Sequence, residues 1–169
     1  MLSTMAWPHP ITIIALGSGL LAALVMGTLY NRHFTNAPLP SDVFLARLLG
    51  GEPTDHELGG VLLYLGYGAV VGGLFPSVFH GWLGLSGTWI TANPYTLATG
   101  LAFGLLLLGP WMALRRLGLV DVPFRNRPDG SEDIVQNYSV VVGLHLLFGL
   151  VLGFVVGMSD GIWYPLIGL

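Results

Sequence analysis

The chain has 169 residues, 53% of them hydrophobic and only 9% charged, where a soluble domain carries about 25% charged residues. Too little polar surface exists to face water on every side, so lipid must be the solvent for most of the chain, and a separate soluble enzyme has no room. Net charge is −3 with six arginines and no lysine, which leaves no basic footprint for nucleic acid and no polybasic patch for anionic lipid, and the lack of cysteine removes disulfides, thiolate nucleophiles and Cys-based metal sites.

Met1 to Pro10 carries no Lys or Arg ahead of its apolar stretch, unlike the positive start of a secretory signal peptide, so the first apolar segment reads as a retained helix. Four stretches free of Asp, Glu, Arg and Lys follow: residues 11–30, 58–79, 95–114 and 138–158. Each has about 20 residues, enough to cross a ~30 Å hydrocarbon layer at ~1.5 Å per residue. Between the first two, Ser41 to Leu49 has a capping serine after Pro40 and a Gly50-Gly51 stop, which predicts a short interfacial helix. Thr54-Asp55-His56-Glu57 predicts a capping box for the second span, and Asn93-Pro94 a capping side chain just before a proline at the start of the third. Pro76 should end or bend the second helix and Pro110 should bend the third, because each removes a backbone donor.

All six arginines (Arg32, Arg47, Arg115, Arg116, Arg125, Arg127) fall in the connections 31–57 and 115–137. The positive-inside rule makes those loops cytoplasmic and puts both termini outside a cell membrane that the chain crosses four times. The opposite side gathers Trp7, Trp82, Trp89, Tyr95, Trp163 and Tyr164, a pattern of rings at headgroup level. The charge-free connection Pro76 to Asn93 and the tail Gly161 to Leu169 read as interfacial segments.

Laid on itself at a shift of 81 residues without a gap, the chain places Gly19 on Gly100, Gly68 on Gly149, Gly72 on Gly153 and Trp82 on Trp163. Helix one falls on helix three and helix two on helix four, with a shared aromatic-Gly-x-x-x-Gly pattern in the second pair. The expected fold is therefore all-α: one transmembrane domain spanning residues 1–169, a four-helix bundle made by tandem duplication of a two-helix unit, with halves of about 11–88 and 92–169 as parallel repeats.

Gly19, Gly68, Gly72, Gly100, Gly104, Gly149, Gly153 and Gly157 are the expected helix-packing positions, since small residues let backbones approach where lipid gives no hydrophobic drive for association. They serve either contacts within one subunit or an oligomer interface. His145 is the one clear intramembrane residue that titrates near neutral pH, a functional-site candidate by default for proton relay or cofactor ligation. The plainer reading is a neutral imidazole bonded to a neighbour such as Tyr64, its counterpart under the 81-residue shift. A haem would want two axial ligands at one depth, but His9 and His80 lie toward the outer face while His33 and His56 lie in an inner loop. No ligand spacing marks a metal site: His9 or His80 near Asp160 could meet an ion at the outer surface, but they read better as surface residues; no cofactor is expected, and the spans hold no carboxylate of the kind coupled transport uses. Asp55, His56 and Glu57 are better explained by capping than by catalysis, so no enzyme is expected.

The Lys-free composition, four spans and the stretch His145-Leu146-Leu147-Phe148-Gly149-Leu150-Val151-Leu152-Gly153 resemble a group of small four-helix membrane proteins from halophilic archaea and some bacteria. The resemblance implies fold and location alone, because that group has no established activity. The leading expectation is a non-enzymatic structural or accessory subunit that meets the bilayer, itself or other membrane subunits, and no nucleic acid. A small homo-oligomeric transporter or channel is the second reading, and a haem- or pigment-binding protein using His145 the third.

Overall fold

A computed structural model describes residues 10–33, 37–120 and 134–163, with the side chains of residues 33, 134–137 and 160 left aside. The expectations on Trp7, His9, Arg125, Arg127 and Tyr164, and on the side chains of His33 and Asp160, lie outside what is described. The fold is helical, with no strand among the described residues: α1 (Pro10–His33), α2 (Pro40–Leu49), α3 (Glu57–Pro76), α4 (Thr88–Thr91), α5 (Tyr95–Arg116) and α6 (Ile134–Val156).

Four segments are long and apolar enough to cross a membrane: Pro10–Arg32, Pro53–Trp82, Tyr95–Arg116 and Tyr138–Val156. Their outward faces stay apolar, with Ile13, Leu62, Val70 and Leu106 each more than half exposed, a surface that suits lipid and not water. These are the features of a multi-pass membrane protein.

Helix ends differ in detail from the sequence reading, and one difference matters for function. Pro40 occupies the first turn of α2, so the N-cap is Leu39, and the residue placed to accept its backbone N–H is Asp42, through Oδ2 at 2.8 Å. Ser41 is therefore not the cap, contrary to expectation. The box expected at Thr54 and Glu57 is also displaced: Pro53–His56 forms a 3₁₀ turn in which Glu52 N–H donates to Asp55 Oδ2 at 2.9 Å. Asn93 does not cap α5 but reaches across, its Nδ2 donating to the Phe154 carbonyl at 3.2 Å. Pro76 sits in the last turn of α3, and the chain continues through a π-type turn, Ser77–Trp82; α6 is followed by a similar turn, Ser159–Trp163. Pro110 lies within a continuous α5.

α1 packs most extensively on α3, α5 on α6, and α1 on α6. The first two contacts are made through glycine. A Cβ on Gly19 would collide with the Gly68 carbonyl oxygen and lie 2.7 Å from the Gly72 Cα, and one on Gly100 would collide with the Gly149 carbonyl oxygen and lie 2.8 Å from the Gly153 Cα. The Ala15 carbonyl stands against Gly72 as the Thr96 carbonyl stands against Gly153. Such backbone proximity gives van der Waals contact that larger residues would forbid. Gly157 differs from the other glycines, since the space beside it is filled by the Asn93 amide, 2.6 Å from a notional Cβ at Cγ.

α3 and α5, by contrast, hardly approach at the backbone. They are linked at the end bearing Trp82 and Trp89 by an aromatic cluster, with Phe75 and Phe103 rings 5.5 Å apart and Phe79 packed on both. Phe75, Phe148, Leu152 and Val156 are fully buried. At the other end, where α1 and α5 finish and α3 and α6 begin, the helices part, and α2 packs on α3.

Candidate functional site

The parting of α3 from α5 leaves a cavity of about 220 Å³ at the arginine-bearing end. Five aromatic residues line it, Tyr30 on α1, Phe44 on α2, Tyr64 and Tyr67 on α3, and Trp111 on α5, among aliphatic side chains such as Met26, Leu63 and Leu144. His145 on α6 and Ser41 on α2 are also among the lining residues.

Local glycines set these side chains in place. Gly104 brings α5 against the His145 carbonyl oxygen, and Gly27 leaves room for the Tyr64 ring, 3.1 Å from its notional Cβ. His145 Nδ1 lies 2.9 Å from the Val141 carbonyl oxygen, one helical turn back. A carbonyl oxygen only accepts, so Nδ1 carries the hydrogen, and in the neutral ring Nε2 is left with its lone pair. The partner is thus a backbone carbonyl and not Tyr64; the two side chains share a cavity wall instead. Trp111 meets the His145 ring edge-on at 6.4 Å and the Tyr138 ring at 6.3 Å, while the Arg115 guanidinium lies 4.7 Å over Tyr138, a cation–π contact.

Ser41 is the residue that sequence reasoning assigned elsewhere. It is 9% exposed, and its Oγ has no hydrogen-bond partner among the described residues. An unbonded buried hydroxyl costs free energy on the order of 1–3 kcal/mol. The signal was present in Leu39-Pro40-Ser41-Asp42: a proline at the first helical position places an acid at the third, and that acid takes the capping role from the serine. Tyr30, whose hydroxyl donates to the Pro38 carbonyl at 3.1 Å, and Trp111 were also not singled out, because an aromatic in an apolar span reads as ordinary core.

A second, more polar crevice of about 580 Å³ lies between α1 and α3 beside α2, lined by Thr28, Asn31, Asp42, Thr54 and Glu57 among others, and Tyr64 borders both spaces. Asp42 is 4% exposed, with no partner for Oδ1 among the described residues and that oxygen pressed toward the Gly60 backbone. Burial raises its carboxyl above the usual carboxylate range and Glu57 adds to the rise, against the opposing pull of the Leu39 N–H and His56.

The two other histidines whose side chains are described have structural partners. His56 Nε2 donates to the Gly50 carbonyl and His80 Nδ1 to the Leu85 carbonyl, each at 2.8 Å. Neither lines the cavity.

Comparison with family models, with curated proteins and with solved structures finds no match. The site must be interpreted from its own chemistry.

Proposed function

We propose that the chain is a non-enzymatic, multi-pass protein of the cell membrane that holds a compact apolar molecule between two duplicated halves. It would act as an accessory binding subunit, as a homo-oligomer or within a larger membrane complex. The observation that carries this reading is the aromatic cavity where α3 and α5 part. At about 220 Å³ it exceeds the roughly 150 Å³ apolar cavity that accepts benzene and falls below the ~300–1,000 Å³ of sites for drug-sized ligands. A single substituted ring fits; a haem macrocycle does not, so the pigment reading loses support.

Duplication is supported by the glycine approaches that recur 81 residues apart, and a topology with both termini outside by the gathering of Arg32, Arg47, Arg115 and Arg116 toward one end of the bundle. The same close approaches use the glycine faces inside the chain, so an assembly partner would meet the apolar outer surface.

The deciding experiment is native mass spectrometry of the protein taken from its own membrane in mild detergent. We expect a retained small molecule that disappears in a Leu144→Trp variant, whose larger side chain fills the cavity. A ligand-free wild-type spectrum with the variant unchanged would overturn the binding function. Subunit number, and any foreign subunit, come from the same spectrum.

A transport reading draws on a separate observation, Tyr64 as the shared wall of polar crevice and cavity. Reconstituted vesicles that pass no ion or small solute above background, with His145→Ala equal to wild type, would dismiss it.

A further inference from the structure

At its arginine-bearing end α1 borders two open spaces of opposite character. The crevice that it forms with α3 carries the acids Asp42 and Glu57. On the outer side of its contact with α6 lies an open groove of about 420 Å³, lined by Leu29, Arg32, Val140, Gly143, Leu144 and Leu147, with no acid among them. On α6 the positions 140, 143, 144 and 147 fall on one helical face, so they make an apolar track of about 10 Å along the helix axis. Gly143 deepens that track, being exposed and with nothing within 4 Å of a notional Cβ. On α1, Leu29 and Arg32 share a face, and Arg32 stands in the last turn of the helix, so the charge sits at the polar end of the groove. Arg32 is exposed and makes no hydrogen bond or ion pair among the described residues.

A cation at the end of a membrane helix meets headgroups, and the apolar track that continues from it meets acyl chains. The guanidinium fork matches the oxygens of a phosphate. With no carboxylate in the groove to pair with a headgroup ammonium, a headgroup of net negative charge is the better complement. We infer that the outer α1–α6 groove is a binding site for an anionic phospholipid, whose phosphate accepts from Arg32 while one acyl chain lies over Gly143 against Leu144 and Leu147. A single arginine is no polybasic patch; selection comes from the pairing of one charge with an apolar track. Leu144 lines both this groove and the aromatic cavity, so the bound chain bears on a wall that the two spaces share. The site stands apart from the cavity's own occupant, because a space of about 220 Å³ is too small for a phospholipid.

The test is native mass spectrometry of delipidated full-length protein in mild detergent, with phosphatidylglycerol or phosphatidylcholine of identical acyl chains added at equal concentrations. We expect phosphatidylglycerol to bind about fivefold more tightly, the ratio that one arginine beside an anionic headgroup sustains. Arg32→Gln should abolish that preference, whereas Arg116→Gln, which removes an exposed arginine outside the groove, should retain it. Gly143→Leu, whose side chain has room to stand in the groove, should weaken both lipids. Equal wild-type affinities, a preference that survives Arg32→Gln, or one lost equally in Arg116→Gln would overturn the site. Unchanged binding of both lipids to Gly143→Leu would overturn the placement of the acyl chain. The comparison of lipids on wild-type protein requires no variant to fold.

Discussion

Gly19 and Gly68 stand so close that a methyl group on the first would overlap the carbonyl oxygen of the second, and 81 residues further along Gly100 and Gly149 repeat the relationship. Gly68→Ala should therefore be destabilising by about 1–3 kcal/mol, the usual cost of overfilling a close contact, since its Cβ would collide with that of Ala23. Gly149→Ala should cost a similar amount. Gly66→Ala and Gly143→Ala, with nothing within 4 Å of the added carbon, should gain up to about 1 kcal/mol from helix propensity. Unfolding in mixed micelles separates these outcomes; equal effects at Gly66 and Gly68 would refute the contact.

Phe75 is fully buried, with Phe79 and Phe103 rings 5.2 and 5.5 Å from its own. Phe75→Ala should cost about 3–5 kcal/mol and loosen α3 from α5. A double substitution with Phe103→Ala should cost less than the sum of the single changes, because the two rings share one contact. Strict additivity would show that the cluster does not couple the helices.

The carboxyl of Asp42 is raised in the folded chain, so the folded state binds its proton more readily than the unfolded state does. Stability from this group is fully present below the ordinary carboxylate range and declines as pH rises toward the folded value. Asp42→Asn retains an oxygen for the Leu39 N–H and removes the buried charge. The variant should melt higher than wild type at pH 7, and the difference should vanish near pH 4. A wild-type advantage at pH 7 would mean that the charge itself stabilises α2.

The chain contains no cysteine, which makes site-directed labelling clean. In intact cells an impermeant maleimide should modify Leu83→Cys, in the connection between α3 and α5, and should reach Leu49→Cys, at the end of α2, only after permeabilisation. The opposite pattern would invert the proposed topology.

Much of the helical framework was legible because hydropathy and length act over some twenty residues at once. The third span was expected at 95–114 and runs to Arg116. His145 and Tyr64 were legible as polar atoms inside apolar runs. Ser41 was not, because capping is decided by a competition within four residues, in which Pro40 fixes the first turn and hands the cap to Asp42. The cavity was illegible for another reason. An 81-residue shift that matches α1 to α5 and α3 to α6 predicts equivalent seams for α1 with α6 and for α3 with α5, but the first is closed and the second is not. That inequality arises from side-chain volume across the whole bundle, and no local motif encodes it.

The unequal seams give the bundle the mechanics of a book. The α1–α6 contact is its spine, and the Phe75, Phe79 and Phe103 rings are a clasp at one corner of the covers. Any rotation of one cover against the other would be greatest at the unclasped corner, which Tyr64, Trp111 and His145 line. An occupant of that corner would then bear on the angle between the covers, and through it on every outer face that touches lipid or a neighbouring subunit.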